Sequence, residues 1–73
     1  MSNANEPPVM HSARVFASTA ADGLGVTGRS LRAIRAIAET VGDGDTALEA
    51  VAIGELIDEA ATRMARLRER LAE

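Results

Sequence analysis

Residues 46–72, TALEAVAIGELIDEAATRMARLRERLA, predict one long helix and decide the fold class. Thr46 and Glu49 have the spacing of a capping box, in which each side chain can bond the other's free backbone N–H. No proline interrupts the stretch, and Gly54 weakens a helix without having to break it. Acidic residues dominate its first half and arginines its second, an order that complements the helix dipole. Glu59 and Arg63 add a favourable i,i+4 ion pair.

The apolar residues of this helix repeat at alternating spacings of four and three, which is a heptad pattern. They are Ile53, Ile57, Ala60, Met64, Leu67 and Leu71. Val51 and Leu56 widen the apolar surface in the first half, so we expect that half to pack on its own chain. The second half would project towards a partner. We therefore predict a partner-binding seam made of Ile53, Ile57, Met64, Leu67 and Leu71.

The rest of the chain predicts two shorter helices, about 10–22 and 28–41, separated by a glycine-rich turn at 24–28. In the first, Met10, Ala13, Ala17, Ala20 and Leu24 share a face, and Phe16 borders it as the single large anchor. In the second, the shared face contains Leu31, Ile34, Ile37, Ala38 and Val41. A strand over 14–19 is the alternative to the first helix, because Arg-Val-Phe-Ala-Ser-Thr also alternates loosely.

Prolines at 7 and 8 favour an extended backbone, so residues 1–8 are expected to form a flexible tail and 9–73 a single helical domain. Gly42-Asp43-Gly44 is expected to end the second helix. The expected fold is all-α: a small bundle of two to three helices.

Composition predicts a chain that needs a partner. With 73 residues and no cysteine, it can bury only ~60 % of its unfolded surface and has no disulfide to compensate. Alanine is its most frequent apolar residue and Phe16 its only aromatic one, so the core would be thin. Oligomerisation, or docking on a larger protein, is the expected remedy.

Charge and targeting signals indicate the class of partner and the cellular location. All eight cationic residues are arginine, which is typical of a GC-rich bacterial genome, and the net charge of −3 disfavours nucleic acid as the default partner. The first ten residues lack a cationic start and an apolar stretch, and no apolar run approaches the ~20 residues of a membrane span. A cytoplasmic location, without membrane contact, is expected.

No group of residues predicts catalysis or a cofactor. Asp58 and Glu59 are expected on a solvated helix face, where nothing would raise a carboxyl pKa. His11, the only histidine, lies beside the expected tail and cannot be held rigidly against a serine. Asp43 and Asp45 resemble a fragment of a calcium loop, but a helix begins too soon after them, so a helix cap and turn is the better interpretation. We expect neither an enzyme nor a metal protein.

Three arginines on the second helix form the one cationic ridge of the sequence: Arg29, Arg32 and Arg35. An ordinary solvent-exposed face is the simpler interpretation. The alternative is contact with phosphate, nucleic acid or an acidic protein.

The turn and second helix resemble the C-terminal helical lid of magnesium-chelatase-like AAA+ ATPases over residues 13–43. That lid combines a Leu-Gly-Leu-Ser-x-Arg turn with a helix ending near Ala-Arg-Thr-Ile-Ala-Asp. This chain reads LGVTGR at 24–29 and AETVGD at 38–43. The resemblance implies a nucleotide-sensing role for Arg29. It departs at Glu39 and Gly42, and no Walker A or B sequence is present, so it does not extend to ATPase activity.

The alternative function is that of a dimeric DNA-binding regulator or antitoxin similar to ribbon-helix-helix proteins. The strand at 14–19 and helices at 28–41 and 46–61 would form that fold, with 62–73 as a partner-binding extension. Arg14, Arg29, Arg32 and Arg35 would then contact the duplex. The preferred expectation is a non-enzymatic protein-interaction or regulatory module that docks through the seam of its last helix.

Overall fold

The computed structural model describes residues 8–72 as two antiparallel helices joined by a short loop. Helix α1 runs Pro8–Thr40 and α2 runs Gly44–Ala72, and no strand occurs within 8–72. The Cα atoms extend 60 × 14 × 12 Å, as expected of a long helical hairpin. The all-α prediction is confirmed. The predicted tail lies outside the described residues except for Pro8, which begins α1 at a position where proline costs no hydrogen bond.

The predicted break at 24–28 is wrong, because α1 continues through Gly23, Gly25 and Gly28 as one helix. Each glycine costs a helix up to ~1 kcal/mol relative to alanine. Packing along the whole length of α2 offsets this cost: Ala17 and Ala38 are buried at the two ends, and Leu24 and Leu31 are half-buried between them. The strand alternative at 14–19 is wrong for the same reason, since that segment lies inside the helix.

Helix α1 ends in a glycine-dependent cap, as the sequence predicted. Gly42 has a φ of 77°, the left-handed conformation that glycine adopts without strain. Asp43 donates its N–H to the Ala38 carbonyl at 2.8 Å, and Gly42 donates to the Glu39 carbonyl at 3.3 Å. These two bonds form a Schellman motif and satisfy carbonyls that the last turn leaves free.

Helix α2 begins two residues earlier than predicted, and its cap is Asp43 rather than the Thr46–Glu49 box. The Asp43 carboxylate accepts the Thr46 N–H at 3.1 Å and the Thr46 hydroxyl at 2.7 Å. Its backbone carbonyl accepts the first helical bond, from Ala47. Asp43 therefore closes α1 and opens α2, which explains a connection of only three residues, 41–43.

The interface between the helices is an alanine seam. The buried apolar residues are Ala17, Ala38, Ala47 and Ala50. On α1, the residues facing α2 follow the alternating three-four spacing of a heptad pattern as far as Leu31, and Ala38 follows a full heptad later because Arg35 is exposed. They are Met10, Arg14, Ala17, Ala21, Leu24, Gly28, Leu31 and Ala38. Small side chains allow close approach of the helices but bury little area, so the predicted thin core is present.

Several expected core residues lie outside this interface. Phe16, the predicted anchor, is 71 % exposed. In the predicted face of the second helix, Leu31 and Ala38 are turned inwards, whereas Ile34, Ile37 and Val41 are exposed. The prediction failed because it treated two short helices independently. A single continuous helix keeps one phase from Met10 to Ala38, and these residues fall beside it.

Candidate protein-docking face

Most of the large exposed apolar side chains of the hairpin lie on one of its two broad sides. We call this side the apolar face and define it by Val9, Phe16, Ile34, Ile37, Val41, Ile53, Leu56 and Leu67, each of which is at least 43 % exposed. Val15, Val26 and Leu48 are the other large exposed apolar residues among those described, and they lie elsewhere on the helices. An apolar surface concentrated in this way is typical of an interaction site.

Helix α1 contributes a second seam that is free of charge along its whole length. It runs beside the α2-facing stripe with the same alternating spacing of four and three. Its members are Val9, Ala13, Phe16, Ala20, Gly23, Thr27, Ser30, Ile34, Ile37 and Val41. Every charged residue of α1 lies outside this seam, so it can be desolvated without burying an ion.

Helix α2 contributes Ile53, Ala60 and Leu67, which repeat every seven residues and so share one line along the helix. They flank its α1-facing stripe on the side opposite Val51 and Asp58. Leu56 extends the line outwards. Because Val51 and Asp58 line a groove on the other broad side, the line through Ile53 and Leu67 lies on the same side as the second seam of α1.

The opposite broad side has a charged groove. It has a volume of about 180 Å³ and includes Arg32 and Arg35 from α1 with Glu55 and Asp58 from α2. Arg35 also donates to Glu39 at 3.4 Å, in an exposed pair. Cations and carboxylates therefore face each other across this groove, and the two broad sides of the hairpin differ sharply in polarity.

The predicted partner-binding seam is divided between two surfaces. Ile53 and Leu67 are both 43 % exposed and belong to the apolar face. Ile57, Met64 and Leu71 are half-buried on the side of α2 that packs against α1. The Cγ2 atom of Ile57 lies 3.9 Å from where a Cβ on Gly28 would be. Partner binding by these five residues stays a prediction, with three of them already engaged within the hairpin.

The predicted cationic ridge is also divided. Arg32 and Arg35 lie in the charged groove, whereas Arg29 is exposed outside it. Arg14 faces α2 and donates its Nε–H to the Leu71 carbonyl at 2.6 Å, which connects the start of α1 to the last turn of α2. Nucleic-acid contact by these arginines stays a prediction, and the strand on which the ribbon-helix-helix alternative depends is replaced by helix.

The titratable groups mainly stabilise helices. The hydroxyl and the backbone N–H of Thr46 lower the pKa of Asp43 below the usual range, because both bonds favour the carboxylate. The predicted Glu59–Arg63 pair is confirmed at 3.2 Å. His11 is exposed on α1. Within residues 8–72, no group of three or more histidine, cysteine, aspartate or glutamate side chains is placed to hold a metal ion.

Sequence reasoning missed the contribution of α1 to the apolar face. It assigned Phe16, Ile34, Ile37 and Val41 to the core of a bundle. The detectable signal was the charge pattern. Over almost five heptads of α1, four of the seven positions never carry a charge, and these positions are neighbours around the helix. An uncharged sector of this width is wider than the stripe that one neighbouring helix covers.

Comparisons with known proteins add no relative. No family model matches the chain, and no curated protein and no solved structure matches it. The resemblance to an AAA+ lid therefore stays an expectation from the sequence. No helix among residues 8–72 has the combination of length and apolar character needed to cross a membrane.

Proposed function

We propose that this hairpin is a non-catalytic protein-interaction module that binds through its apolar face. The observation that carries the proposal is the exposure of eight large apolar side chains on one broad side, with Phe16 at 71 %. Fully burying such a side chain is worth about 1.5–3 kcal/mol, so covering this face would stabilise a complex strongly.

The thin interior supports the same function. The fully buried apolar residues of the described chain are alanines, which supply little transfer free energy, and the larger residues between the helices are only half-buried. Eight further large apolar residues lie outside the interface, on the apolar face. In an ordinary small domain the large side chains would be inside. Here the arrangement suits a protein whose core is completed by the surface of another protein. The proposed binding site therefore includes the apolar residues of both helices, in addition to Ile53 and Leu67.

A photo-crosslinking amino acid placed at two matched positions tests this function. Ile37 is 64 % exposed on the apolar face. Leu48 is 70 % exposed and lies one heptad before Glu55, which lines the charged groove on the other broad side. With the crosslinker at position 37, irradiation of the native host should give protein adducts, either to the chain itself or to another protein. With the crosslinker at position 48, adducts should be several-fold fewer. Equal or absent adducts at both positions would contradict the proposal.

A further inference from the structure

The two seams of the apolar face share one symmetry centre. On α1, Phe16 and Ile34 lie nine residues before and after Gly25, and Val9 and Val41 lie sixteen residues before and after it. Ala20 and Ser30, and Gly23 and Thr27, are matching pairs of small residues about the same centre. Four of the five pairs in this seam therefore match in size, and the fifth pairs Ile37 with Ala13.

Helix α2 repeats the relationship about Ala60. Ile53 precedes Ala60 by seven residues and Leu67 follows it by seven. Ile57 lies opposite Gly28, because its Cγ2 atom is 3.9 Å from where a Cβ on Gly28 would be. Gly25 and Ala60 are each three residues further from the loop than this pair. Gly25 is therefore level with Ala60. The symmetry centres of the two helices therefore lie at the same height along the hairpin.

From this coincidence we infer that the occupant of the apolar face is a second copy of the chain, related by a two-fold axis at the level of Gly25 and Ala60. The inference rests on the proposed function and names the partner of that face. The axis lies in the contact plane and crosses the helices at right angles, which gives an antiparallel four-helix bundle. Phe16 packs on Ile34 of the second copy, and Ile53 packs on its Leu67.

The charges at the rim agree with the antiparallel arrangement. Glu49 precedes Ala60 by eleven residues and Arg70 follows it by ten. The two-fold axis therefore brings Glu49 to within one residue of the height of Arg70 in the second copy, a shift of about 1.5 Å. Opposite charges meet at both ends of the α2–α2 contact, and such pairs set register more than affinity.

The available area matches a stable dimer. Helices of 33 and 29 residues are roughly 50 and 45 Å long, and two helices packed at an interaxial distance of ~9 Å are about 18 Å wide. Such a side has roughly 900 Å², and each partner of a standard interface contributes about 800 Å². Along α1 the middle of the face carries small residues, among them Ala20 and Gly23, and on α2 Ala60 lies at the axis, which permits close approach there.

Cysteine crosslinking tests both the partner and the direction, because the chain has no cysteine of its own. In the antiparallel dimer the two copies of residue 60 meet at the axis, so Ala60→Cys should oxidise to a disulfide-linked dimer. Leu67→Cys alone should not, since its two copies lie about 20 Å apart along the helices. An equal mixture of Ile53→Cys and Leu67→Cys should form the crosslink that neither forms alone.

Sedimentation equilibrium of the purified chain supplies the second readout. The mass should be twice the 7.6 kDa of one chain, and Phe16→Glu should halve it. The control Leu48→Glu changes a side chain of matching exposure, 70 % against 71 %, on the other broad side and should leave the mass unchanged. Circular dichroism checks that each variant remains helical. A wild-type chain that sediments as a monomer, or a Leu67→Cys variant that crosslinks to itself as readily as Ala60→Cys, would overturn the inference. A monomer that still gives adducts to another protein from position 37 would reject the second copy but retain the proposed function.

Discussion

The carboxylate of Asp43 binds Thr46 twice, accepting the backbone N–H at 3.1 Å and the hydroxyl at 2.7 Å. The same residue donates its backbone N–H to Ala38 in the last turn of α1. One side chain and one peptide group thus fix both helix ends at the loop. Because the buried side chains between the helices are small, this connection contributes substantially to the relative position of α1 and α2.

The Asp43 cap makes stability depend on pH in the acid range. Its pKa is lowered in the folded chain, whereas an unfolded aspartate titrates near ~3.9. The folded state therefore binds fewer protons, and the contribution of the cap is fully present above that value and lost as the pH falls through the lowered pKa. Urea unfolding of the wild type and of Asp43→Asn should show a stability difference that is largest near pH 6 and shrinks towards pH 2. A difference that is constant over this range would contradict the assignment of Asp43 as the cap.

Two glycine substitutions should have opposite effects. Gly42 has a positive φ, so Gly42→Ala places a Cβ in the left-handed region and should lower the free energy of unfolding by about 1 kcal/mol. Gly54 lies inside α2 with open space around its missing Cβ, so Gly54→Ala should raise it by up to ~1 kcal/mol. Urea midpoints measured at one protein concentration compare the two variants. Destabilisation of equal size at both positions would show that the glycines are not distinguished by backbone conformation.

The alanine seam should tolerate little extra volume. Ala50 is 5 % exposed between the helices, so Ala50→Leu overpacks the contact and should cost ~1–3 kcal/mol. Ala52, two residues further along α2, is exposed, and Ala52→Leu should change stability by less than about 0.5 kcal/mol. Thermal unfolding followed by circular dichroism measures both. If both variants are equally stable, the helices pack less closely at Ala50 than the structure shows.

The helical class and the α2 helix could be predicted from sequence because their signals are local. An uninterrupted heptad pattern, an acidic-to-basic order and the Glu59–Arg63 pair do not depend on the rest of the chain. The Gly42 cap was also predictable, since glycine there is followed by a second set of helix-start residues. A cap and turn was also predicted at Asp43 and Asp45, but the cap of α2 itself was assigned to Thr46 and Glu49, which offer a second motif three residues later.

The continuity of α1 and the position of the apolar face could not be read from local signals. Gly23, Gly25 and Gly28 indicate a turn when the segment is considered alone, and only packing on α2 makes helix the better state. When α1 is a single helix, the stripe of residues that faces α2 has a fixed direction along its whole length. Phe16 and Ile37 lie beside this stripe and are exposed. The position of α1 also decides which residues of the predicted partner-binding seam are exposed. Ile53 and Leu67 remain on the apolar face, whereas Ile57, Met64 and Leu71 pack towards α1. The sequence of α2 alone does not encode this difference.

The most direct test of the central claim, that a second copy covers the apolar face, is the solvent exposure of its methyl groups in the purified chain. NMR relaxation enhancement by a soluble nitroxide compares Ile37 with Leu48 on the other broad side, which have similar exposures of 64 % and 70 % in a single chain. The account predicts that the Ile37 methyl signals are protected several-fold relative to those of Leu48, and that dilution or the Phe16→Glu substitution abolishes this protection. Equal relaxation enhancement at the two positions, at every concentration, would contradict it.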